Sequence, residues 1–236
     1  MGKGYTGVDN LEIIGEAKKY NHFLECQTFL HSRGALKALD FGAGIGTFSA
    51  ALREKGLSIT CVEPDSELRQ RLESLNFESH ADIRDVPENS FDYIYSLNVL
   101  EHIEDDLDAL KNLYSRLRPG SRIFLYVPAF QCLYSSMDKK VGHFRRYDRR
   151  GIKAALESCG FVKIRTRYAD SLGFVVTILY KLFGNKRGDL NIKTIKLYDT
   201  VFFPISRAMD RFAGRFFGKN IIAVAIRPGP GKTNPS

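Results

Sequence analysis

The sequence predicts an α/β fold, in which helices flank a mostly parallel β-sheet. Between residues 36 and 128, short runs rich in β-branched and aromatic residues alternate with helical runs, as in parallel strands joined by crossover helices. The second observation is size: 236 residues, 44% of them hydrophobic and 26% charged, are enough for one sizeable core. We therefore expect residues 1–227 to form a single domain.

The N-terminal segment is predicted to be helical. In residues 9–31 apolar side chains recur three and four positions apart, which is typical of helices with one apolar face. Residues 1–31 are thus expected to cover the sheet. The first ten residues lack the apolar stretch of a secretory signal, so we expect a cytoplasmic protein. The four cysteines are widely separated, with no histidine at zinc-ligand spacing, and we expect no metal site.

Strands and helices are predicted to alternate through the first half of the chain. The expected strands are Leu36–Phe41, Ser58–Glu63, Phe77–Ala81, Phe91–Leu97 and Ser121–Pro128. The helices between them are Gly46–Lys55, Ser66–Leu75 and Glu104–Leu117. The third helix is followed by Arg118-Pro119-Gly120, a stop signal, because proline breaks a helix and glycine tolerates a positive φ.

The second half is predicted to carry a helical insertion. A helix over Gly151–Ser158 and a strand over Phe161–Tyr168 come first, and Ile221–Ile226 is the last strand. The roughly fifty residues between those two strands exceed an ordinary sheet connection, so residues 171–218 are expected to form an added element. The tail, residues 228–236, is rich in Pro and Gly and is expected to be disordered.

The insertion has an amphipathic composition. It begins with the apolar run Leu172–Leu179 and continues with a basic loop at Lys186. A helix is then predicted with one apolar face and arginines away from that face. The apolar residues are Ile205, Met209, Phe212 and Phe216, and the arginines are Arg207, Arg211 and Arg215.

A glycine-rich turn joins the first predicted strand to the first helix. Gly42, Gly44 and Gly46 let the backbone approach a ligand closely, and the helix N-terminus offers free N–H groups. This pattern alone is shared by nicotinamide and flavin binders. Asp40 lies inside the turn, where its charge attracts a cationic amino group and repels a pyrophosphate. The turn therefore favours S-adenosylmethionine (SAM) over NAD.

Two further carboxylates follow predicted strands. Glu63 ends the second strand, where a carboxylate can accept both ribose hydroxyls of a nucleoside, although it can also cap the next helix. Asp82 follows the third strand and is a candidate for the adenine amino group, with Ile83 packing against the ring. On its own, an aspartate at such a position is more often a turn residue.

Four segments together carry a family resemblance: LDFGAGIGTFSAAL, VEPD, ADIRDVPENSFDYIYSLNVLEHIEDD and LRPGSRIFLYVPAF, within residues 36–130. In this order they resemble the class I SAM-dependent methyltransferases, in the branch of ubiquinone- and menaquinone-type small-molecule enzymes. The resemblance implies a Rossmann-like three-layer sandwich with seven strands, the last of them inserted antiparallel. It also implies S-adenosylhomocysteine as product, and SAM contacts at Asp40, Gly42, Gly44, Gly46, Glu63, Pro64, Asp82, Ile83 and Asn98.

The acceptor side is predicted from a second, shorter resemblance. Residues 142–147, GHFRRY, resemble a G-H-x-R-R-Y pattern in some members of this branch. His143 is the candidate base, because the usual histidine pKa near 6.5 suits proton transfer at neutral pH. Arg145 and Arg146, with Tyr147, are candidates to hold an anionic substrate group. The alternative is that this basic loop folds over the site and pairs with the acidic first half.

The L-E-H-I segment after the fourth strand adds two weaker candidates. Glu101 is expected to line the pocket. His102, a lone histidine at a helix start, is more often structural than catalytic.

The charge distribution bears on the acceptor. Residues 1–138 hold 14 basic and 21 acidic residues, net −7, whereas residues 139–236 hold 21 basic and 6 acidic residues, net +15. The basic half predicts an anionic partner, namely a phosphorylated substrate, an acidic membrane or a nucleic acid, unless it is only a solvated face. The insertion, residues 171–218, is interpreted either as a lid over the acceptor pocket or as a peripheral contact with the inner membrane face.

Three functional classes follow. The leading hypothesis is an enzyme that methylates an oxygen or nitrogen of a small-molecule or lipid-linked metabolite. A nucleic-acid (RNA) methyltransferase is the alternative, but nucleic acid is not expected, because residues 96–100 lack the N/D-P-P-aromatic run of base-amino enzymes. A SAM-binding protein without catalysis stays open, whereas Asp40 and the lack of a Tyr-x-x-x-Lys pair disfavour a nicotinamide oxidoreductase.

Overall fold

The structure, a computed structural model, describes residues 15–183 and 192–229. The predictions for residues 1–14, for the loop at Lys186 and for residues 230–236 of the tail lie outside this range. The strands are β1 Lys37–Phe41, β2 Ser58–Val62, β3 Glu78–His80, β4 Phe91–Leu97, β5 Leu117–Pro128, β6 Val162–Ala169 and β7 Asn220–Ile226. The helices are α1 Lys18–His31, α2 Thr47–Glu54, α3 Ser66–Ser74, α4 Asp106–Arg116, α5 Ser136–Lys140, α6 Arg149–Ser158, α7 Ser171–Phe183, α8 Ile192–Leu197 and α9 Phe203–Met209.

The seven strands form one sheet in the order β3-β2-β1-β4-β5-β7-β6. The pairs among β1 to β5 are parallel, whereas β7 is antiparallel to both β5 and β6. This confirms the predicted Rossmann-like α/β fold, including its antiparallel last strand. The chain order reverses between β1 and β4, which is the topological switch point at which open α/β sheets bind ligands.

Helices bury apolar side chains on both faces of the sheet. Leu110 of α4 and Ile152 of α6 belong to one fully buried cluster. Leu24 of α1, Leu52 of α2 and Phe203 of α9 belong to the other. The fold therefore has three layers, and α1 packs in the same cluster as α2 and α9 on one face of the sheet.

Residues 118–120 were predicted to form a turn between a helix and the fifth strand, but they lie inside that strand. The helix α4 ends at Arg116, and Leu117 already pairs with Phe91 in the sheet. The ladder then shifts register before Tyr93 pairs with Arg122. Gly120 has φ +86°, so the Pro119-Gly120 pair forms an irregularity inside β5 rather than a turn before it.

The insertion between β6 and β7 is helical, as predicted, but its amphipathic helix is shorter than expected. The prediction that one helix extends to Phe216 is wrong, because α9 ends at Met209. The Asp210 carboxylate accepts the backbone N–H groups of Asp170 and Ser171, at 2.9 and 2.8 Å. These bonds tie the end of α9 to the end of β6. No helix within residues 15–183 and 192–229 is long and apolar enough to cross a bilayer.

Candidate active site

The glycine turn forms the floor of a site at the carboxyl ends of the strands. The N–H groups of Gly42 and Ala43 donate to the Val62 carbonyl at 2.8 and 3.2 Å, which holds the turn against β2. Gly42 has φ +82°, and a Cβ atom there would lie 2.3 Å from a methyl carbon of Val99. Gly46 precedes α2, whose N-terminus receives no side-chain cap. The first N–H groups of α2 are thus available to a ligand.

Asp40 faces the interior beneath this turn. One oxygen of its carboxylate accepts hydrogen bonds from the Ser49 hydroxyl at 2.6 Å and the Tyr95 hydroxyl at 2.9 Å. Only 3% of Asp40 is exposed, and this burial raises the pKa of the carboxyl to about 7. Asp40 therefore braces β1 against α2 and β4. Its contact with a cationic amino group stays a prediction.

The Glu63 carboxylate lies directly after β2 and accepts two backbone N–H groups. One oxygen accepts the Gly44 N–H at 2.8 Å and the other accepts the Asp65 N–H at 3.1 Å. Burial raises the pKa of Glu63, and the two N–H groups oppose that effect. Each carboxylate oxygen has two lone pairs, so one on each remains for two vicinal hydroxyls. The structure thus leaves Glu63 able to accept both hydroxyls of the SAM ribose.

The residues predicted for the adenine end lie beside this site. Asp82 accepts the backbone N–H of Arg84 at 2.8 Å and pairs with its guanidinium group. The hydrogen bonds from Arg84 lower the pKa of Asp82 to about 2. Ile83 is buried and Pro64 is exposed. A role for these residues in adenine binding stays a prediction, because Asp82 already has a charged partner.

Three of the six described non-glycine residues with positive φ lie at the same edge. Asn98, Phe130 and Asp170 have φ of +56°, +60° and +62°. They follow β4, β5 and β6, respectively. Such conformations cost on the order of 1–3 kcal/mol each and are frequent at ligand sites. These three strand ends therefore support a ligand site at this edge.

Tyr20 of α1 is a candidate site residue that sequence reasoning missed. Its ring lies 6.2 Å from that of Tyr126, and the polar groups that oppose the effect of burial on its pKa are those of Tyr126 and Asn98. Burial raises the pKa of Tyr20 to about 12. Nothing in the periodicity of α1 distinguishes this tyrosine from the apolar residues of the same face.

His143 is held by a buried ion pair on the acceptor side. Its Nδ1 lies 2.8 Å from an Asp138 oxygen, and Arg146 binds both oxygens of the same carboxylate at 2.8 and 3.1 Å. Only 1% of Asp138 is exposed. Burial opposes ionisation there, but the bonds from His143 and Arg146 hold the pKa of Asp138 well below its usual range. The His143 Nδ1 is thus occupied, and its Nε2 is the free ring atom.

Glu101 and His102 adjoin the free side of His143. The nearer Glu101 oxygen lies 3.9 Å from His143 Nε2, and the rings of His102 and His143 meet edge to face with centroids 4.5 Å apart. Glu101 is fully buried, and neither carboxylate oxygen has a hydrogen-bond partner. Burial raises the pKa of Glu101 to about 8 and lowers that of His102 to about 4.

Arg145 and Tyr147 make contacts within the protein. Arg145 pairs with Asp106 at 2.9 Å, and the Tyr147 hydroxyl donates to the same carboxylate at 2.8 Å. Arg146 is engaged with Asp138, as described above. These contacts match the alternative in which the basic loop pairs with the acidic half. Binding of a substrate anion by Arg145, Arg146 and Tyr147 stays a prediction.

Comparisons with known proteins give a consistent result. A family model described as a methyltransferase domain matches residues 17–166. A ubiquinone biosynthesis O-methyltransferase of Xanthomonas campestris pv. campestris is 31% identical over 99 residues, 38% of this chain and 41% of that protein. A trans-aconitate 2-methyltransferase of Deinococcus radiodurans is 26% identical over 177 residues, 67% of this chain and 66% of that protein.

The fold has a similar counterpart among solved structures. A SAM-dependent methyltransferase of Archaeoglobus fulgidus has a TM-score of 0.60 at 18% identity, covering 87% of this chain and 94% of that one. The match to the Xanthomonas protein, in contrast, spans less than half of that protein's length.

Proposed function

Because the chain belongs to the class I SAM-dependent methyltransferases, we propose that it methylates an oxygen or nitrogen atom of a small-molecule acceptor. The observation that carries this proposal is the arrangement of the glycine turn and Glu63. The turn presents the uncapped N-terminus of α2, and the Glu63 carboxylate keeps two lone pairs beside it. A carboxylate group and a ribose can bind there together.

SAM supplies an activated methyl group when it is bound. The task of the chain is to align the acceptor with that group and, for a hydroxyl acceptor, to receive its proton. His143 is the proposed base. Its Nδ1 is held by Asp138, so Nε2 carries the lone pair that takes the proton while the acceptor oxygen gains the methyl group. Glu101 and His102 form the wall next to that atom.

Calorimetric titration of the full chain with SAM, S-adenosylhomocysteine and NAD tests the cofactor assignment. We expect SAM and S-adenosylhomocysteine to bind, and Glu63→Gln to weaken both at least about tenfold, because hydrogen bonds to a charged group contribute about 1.5–3 kcal/mol. Glu67→Gln, an exposed carboxylate four residues further on, is the matched control and should bind like the wild type. Binding of NAD but not SAM would overturn the proposal.

The base assignment needs a separate experiment. Formation of S-adenosylhomocysteine is measured with a panel of phosphorylated and lipid-linked hydroxyl and amine compounds. With a hydroxyl acceptor, His143→Gln should lower the turnover rate about 10²–10⁴-fold while SAM affinity is unchanged. Unchanged turnover in His143→Gln contradicts the role of this residue.

We further propose that the acceptor is anionic and lies at a membrane surface. The insertion carries apolar side chains that face solvent, above all Phe212 and Phe216, which are 79% and 75% exposed. A lid closed over an acceptor would bury such side chains, so this exposure favours the membrane interpretation. Basic and apolar residues in one element are the composition of an anionic-membrane contact.

An arginine-lined cavity supports an anionic partner at the insertion. It measures about 320 Å³ and lies between β6 and α9. Burial and the charge of Arg207 lower the pKa of Arg167, whereas the Asp210 carboxylate, which pairs with Arg207 at 3.5 Å, opposes that effect. Three arginines and one aspartate leave the lining basic, which is the charge that a phosphate group complements. The lining residues are Arg167, Pro204, Arg207, Ala208, Asp210 and Arg211.

Co-sedimentation with vesicles tests the membrane proposal. We expect the protein to bind vesicles that contain phosphatidylglycerol and not vesicles of phosphatidylcholine alone. Each phenylalanine side chain that leaves water contributes about 2 kcal/mol, so Phe212→Ser with Phe216→Ser should weaken binding on the order of a few hundredfold. Leu36→Ser, at a residue 76% exposed before β1, is the control. Equal loss in the control, or no loss in the double variant, contradicts the proposal.

A further inference from the structure

We propose that Glu101, His102 and His143 bind a divalent metal ion of the zinc type on the acceptor side of the active site. Each residue offers one ligand atom, and these three atoms lie within 4.8 Å of one another. Two imidazoles and one carboxylate are a common ligand set of catalytic zinc, which leaves the fourth position to water or substrate. The cluster therefore has both the donor types and the open position of such a site.

The Glu101 carboxylate points to a missing cationic partner. Glu101 is fully buried, and both of its oxygens lack a hydrogen-bond partner. Within the described residues the only other such side-chain atom is the Tyr126 hydroxyl. A buried polar group without a partner costs about 1–3 kcal/mol, and more when it is charged. A metal ion would satisfy the carboxylate directly.

A neighbouring carboxylate orients the ring of His143, as is usual for a metal-binding histidine. A metal-binding histidine usually donates its other ring N–H to a carboxylate, which fixes its tautomer and orientation. The Asp138 carboxylate does this at 2.8 Å, and Arg146 holds that carboxylate from the far side. The Nε2 of His143 is thereby kept as a lone-pair donor on the side of Glu101.

The distances require only a small closure. Zinc lies about 2.0–2.2 Å from nitrogen and oxygen ligands, which places tetrahedral ligand atoms about 3.4 Å apart. The Glu101 and His143 ligand atoms are 3.9 Å apart. The widest separation in the cluster is no more than 4.8 Å. Small side-chain rotations that move each ligand atom by about an ångström would bring all three atoms to one ion.

This inference differs from the proposed function in one respect: His143 Nε2 would bind the ion, so His143 would not also be the base that receives the acceptor proton. The open ligand position would then orient an oxygen-bearing acceptor. Imidazole ligands select zinc-type ions over magnesium and calcium, which prefer oxygen. We therefore expect strong binding of Zn²⁺ or Co²⁺ and none of Mg²⁺ at equal concentration.

Metal binding is measured on the full chain after treatment with a chelator, without SAM or acceptor. Calorimetry with Zn²⁺ should give one site per chain, and Co²⁺ should give the visible absorption of a tetrahedral nitrogen and oxygen site. Glu101→Gln and His143→Gln should each abolish the Co²⁺ spectrum. Asp138→Asn should weaken Zn²⁺ about 10–100-fold, because Asp138 only positions His143.

Controls separate this site from chance binding elsewhere. His22 lies near Glu25 and Cys26 on the surface and is the competing place for a zinc ion. His22→Gln should leave the stoichiometry at one, and loss of binding in that variant instead of Glu101→Gln overturns the inference. SAM titration of the same variants reports folding and the cofactor site. If the wild type binds SAM but no metal ion, only this inference is refuted. If the wild type does not bind SAM, the proposed function is refuted.

Discussion

Replacing Asp40 by Asn should change how stability depends on pH. In the folded protein, burial raises the Asp40 pKa from its usual 3.8 to about 7. The folded state then binds more protons than the unfolded state between about pH 4 and pH 7, so the free energy of unfolding falls as pH rises through this window. The stability contributed by protonated Asp40 is complete below about pH 4 and is lost as pH passes 7.

The magnitude follows from the two pKa values. At 1.36 kcal/mol per pKa unit, the difference between 3.8 and about 7 corresponds to about 4 kcal/mol. Asn has nearly the same shape, can accept from Ser49 and Tyr95, and has no charge to bury. The free energy of unfolding of Asp40→Asn, relative to the wild type, should therefore rise by up to about 4 kcal/mol from pH 4 to pH 8.

The assay is urea unfolding of both proteins at half-unit steps of pH without ligand. Other titrating groups contribute equally to both proteins, so the difference between the two curves isolates Asp40. Ser74→Ala, at an exposed serine that bonds only its own helix backbone, is the control and should give a difference that does not vary with pH. A flat difference for Asp40→Asn would refute the buried position of this carboxyl.

Three further predictions concern the same edge of the sheet. If Asp40 receives the amino group of SAM, wild-type affinity for SAM rises through about pH 7 and Asp40→Asn removes that rise, as calorimetry at several pH values would show. Gly42→Ala should destabilise the fold by about 2 kcal/mol or more and abolish SAM binding, because the φ of Gly42 is +82° and a Cβ atom would clash with a valine methyl group. Thermal unfolding and SAM titration measure the two effects. Arg146→Gln leaves the buried Asp138 carboxylate without its arginine and with His143 as its remaining ionisable partner, so urea unfolding should show a loss of up to about 3–5 kcal/mol, whereas the exposed Arg150→Gln should show almost none.

The sheet was predictable because each strand carries its own signal. Buried runs such as Phe91–Leu97 are recognisable from a few neighbouring residues, and the strand boundaries agree within one or two positions for most of the sheet. The start of β5 is the exception. Pairing of Leu117 with Phe91 depends on a partner distant in sequence, and a local helix-stop signal cannot report it.

The end of α9 illustrates the same limit. Periodicity predicts one helix through Phe216, because the apolar spacing continues past Met209. The helix ends where Asp210 turns inward to the backbone at the end of β6. A contact across about forty positions decided the outcome, and helical propensity was too weak to oppose it.

In the candidate site, too, local sequence predicts the position of a residue along the chain but not its long-range contacts. The position of Glu63 at a strand end could be predicted from local sequence, and its contact with ribose stays a prediction. The prediction that Asp40 lies inside the turn is wrong, because Asp40 belongs to β1 and pairs with Cys61 and Tyr95 in the sheet. Its side-chain contacts with Ser49 and Tyr95 come from two other elements, which local sequence does not report.

On the acceptor side, residue type alone could not predict which side chains contact one another. Sequence patterns drew attention to the arginines of GHFRRY as ligands for an anion, yet Arg146 binds Asp138, which in turn fixes His143. Glu101 and His102 lie about forty positions earlier and were expected to be, respectively, a lining residue and a structural residue. Folding brings the lone pair of His143 toward a carboxylate that has no other partner. The proposed metal site therefore combines residues whose individual sequence patterns indicated other roles, with Asp138 orienting the ligand His143.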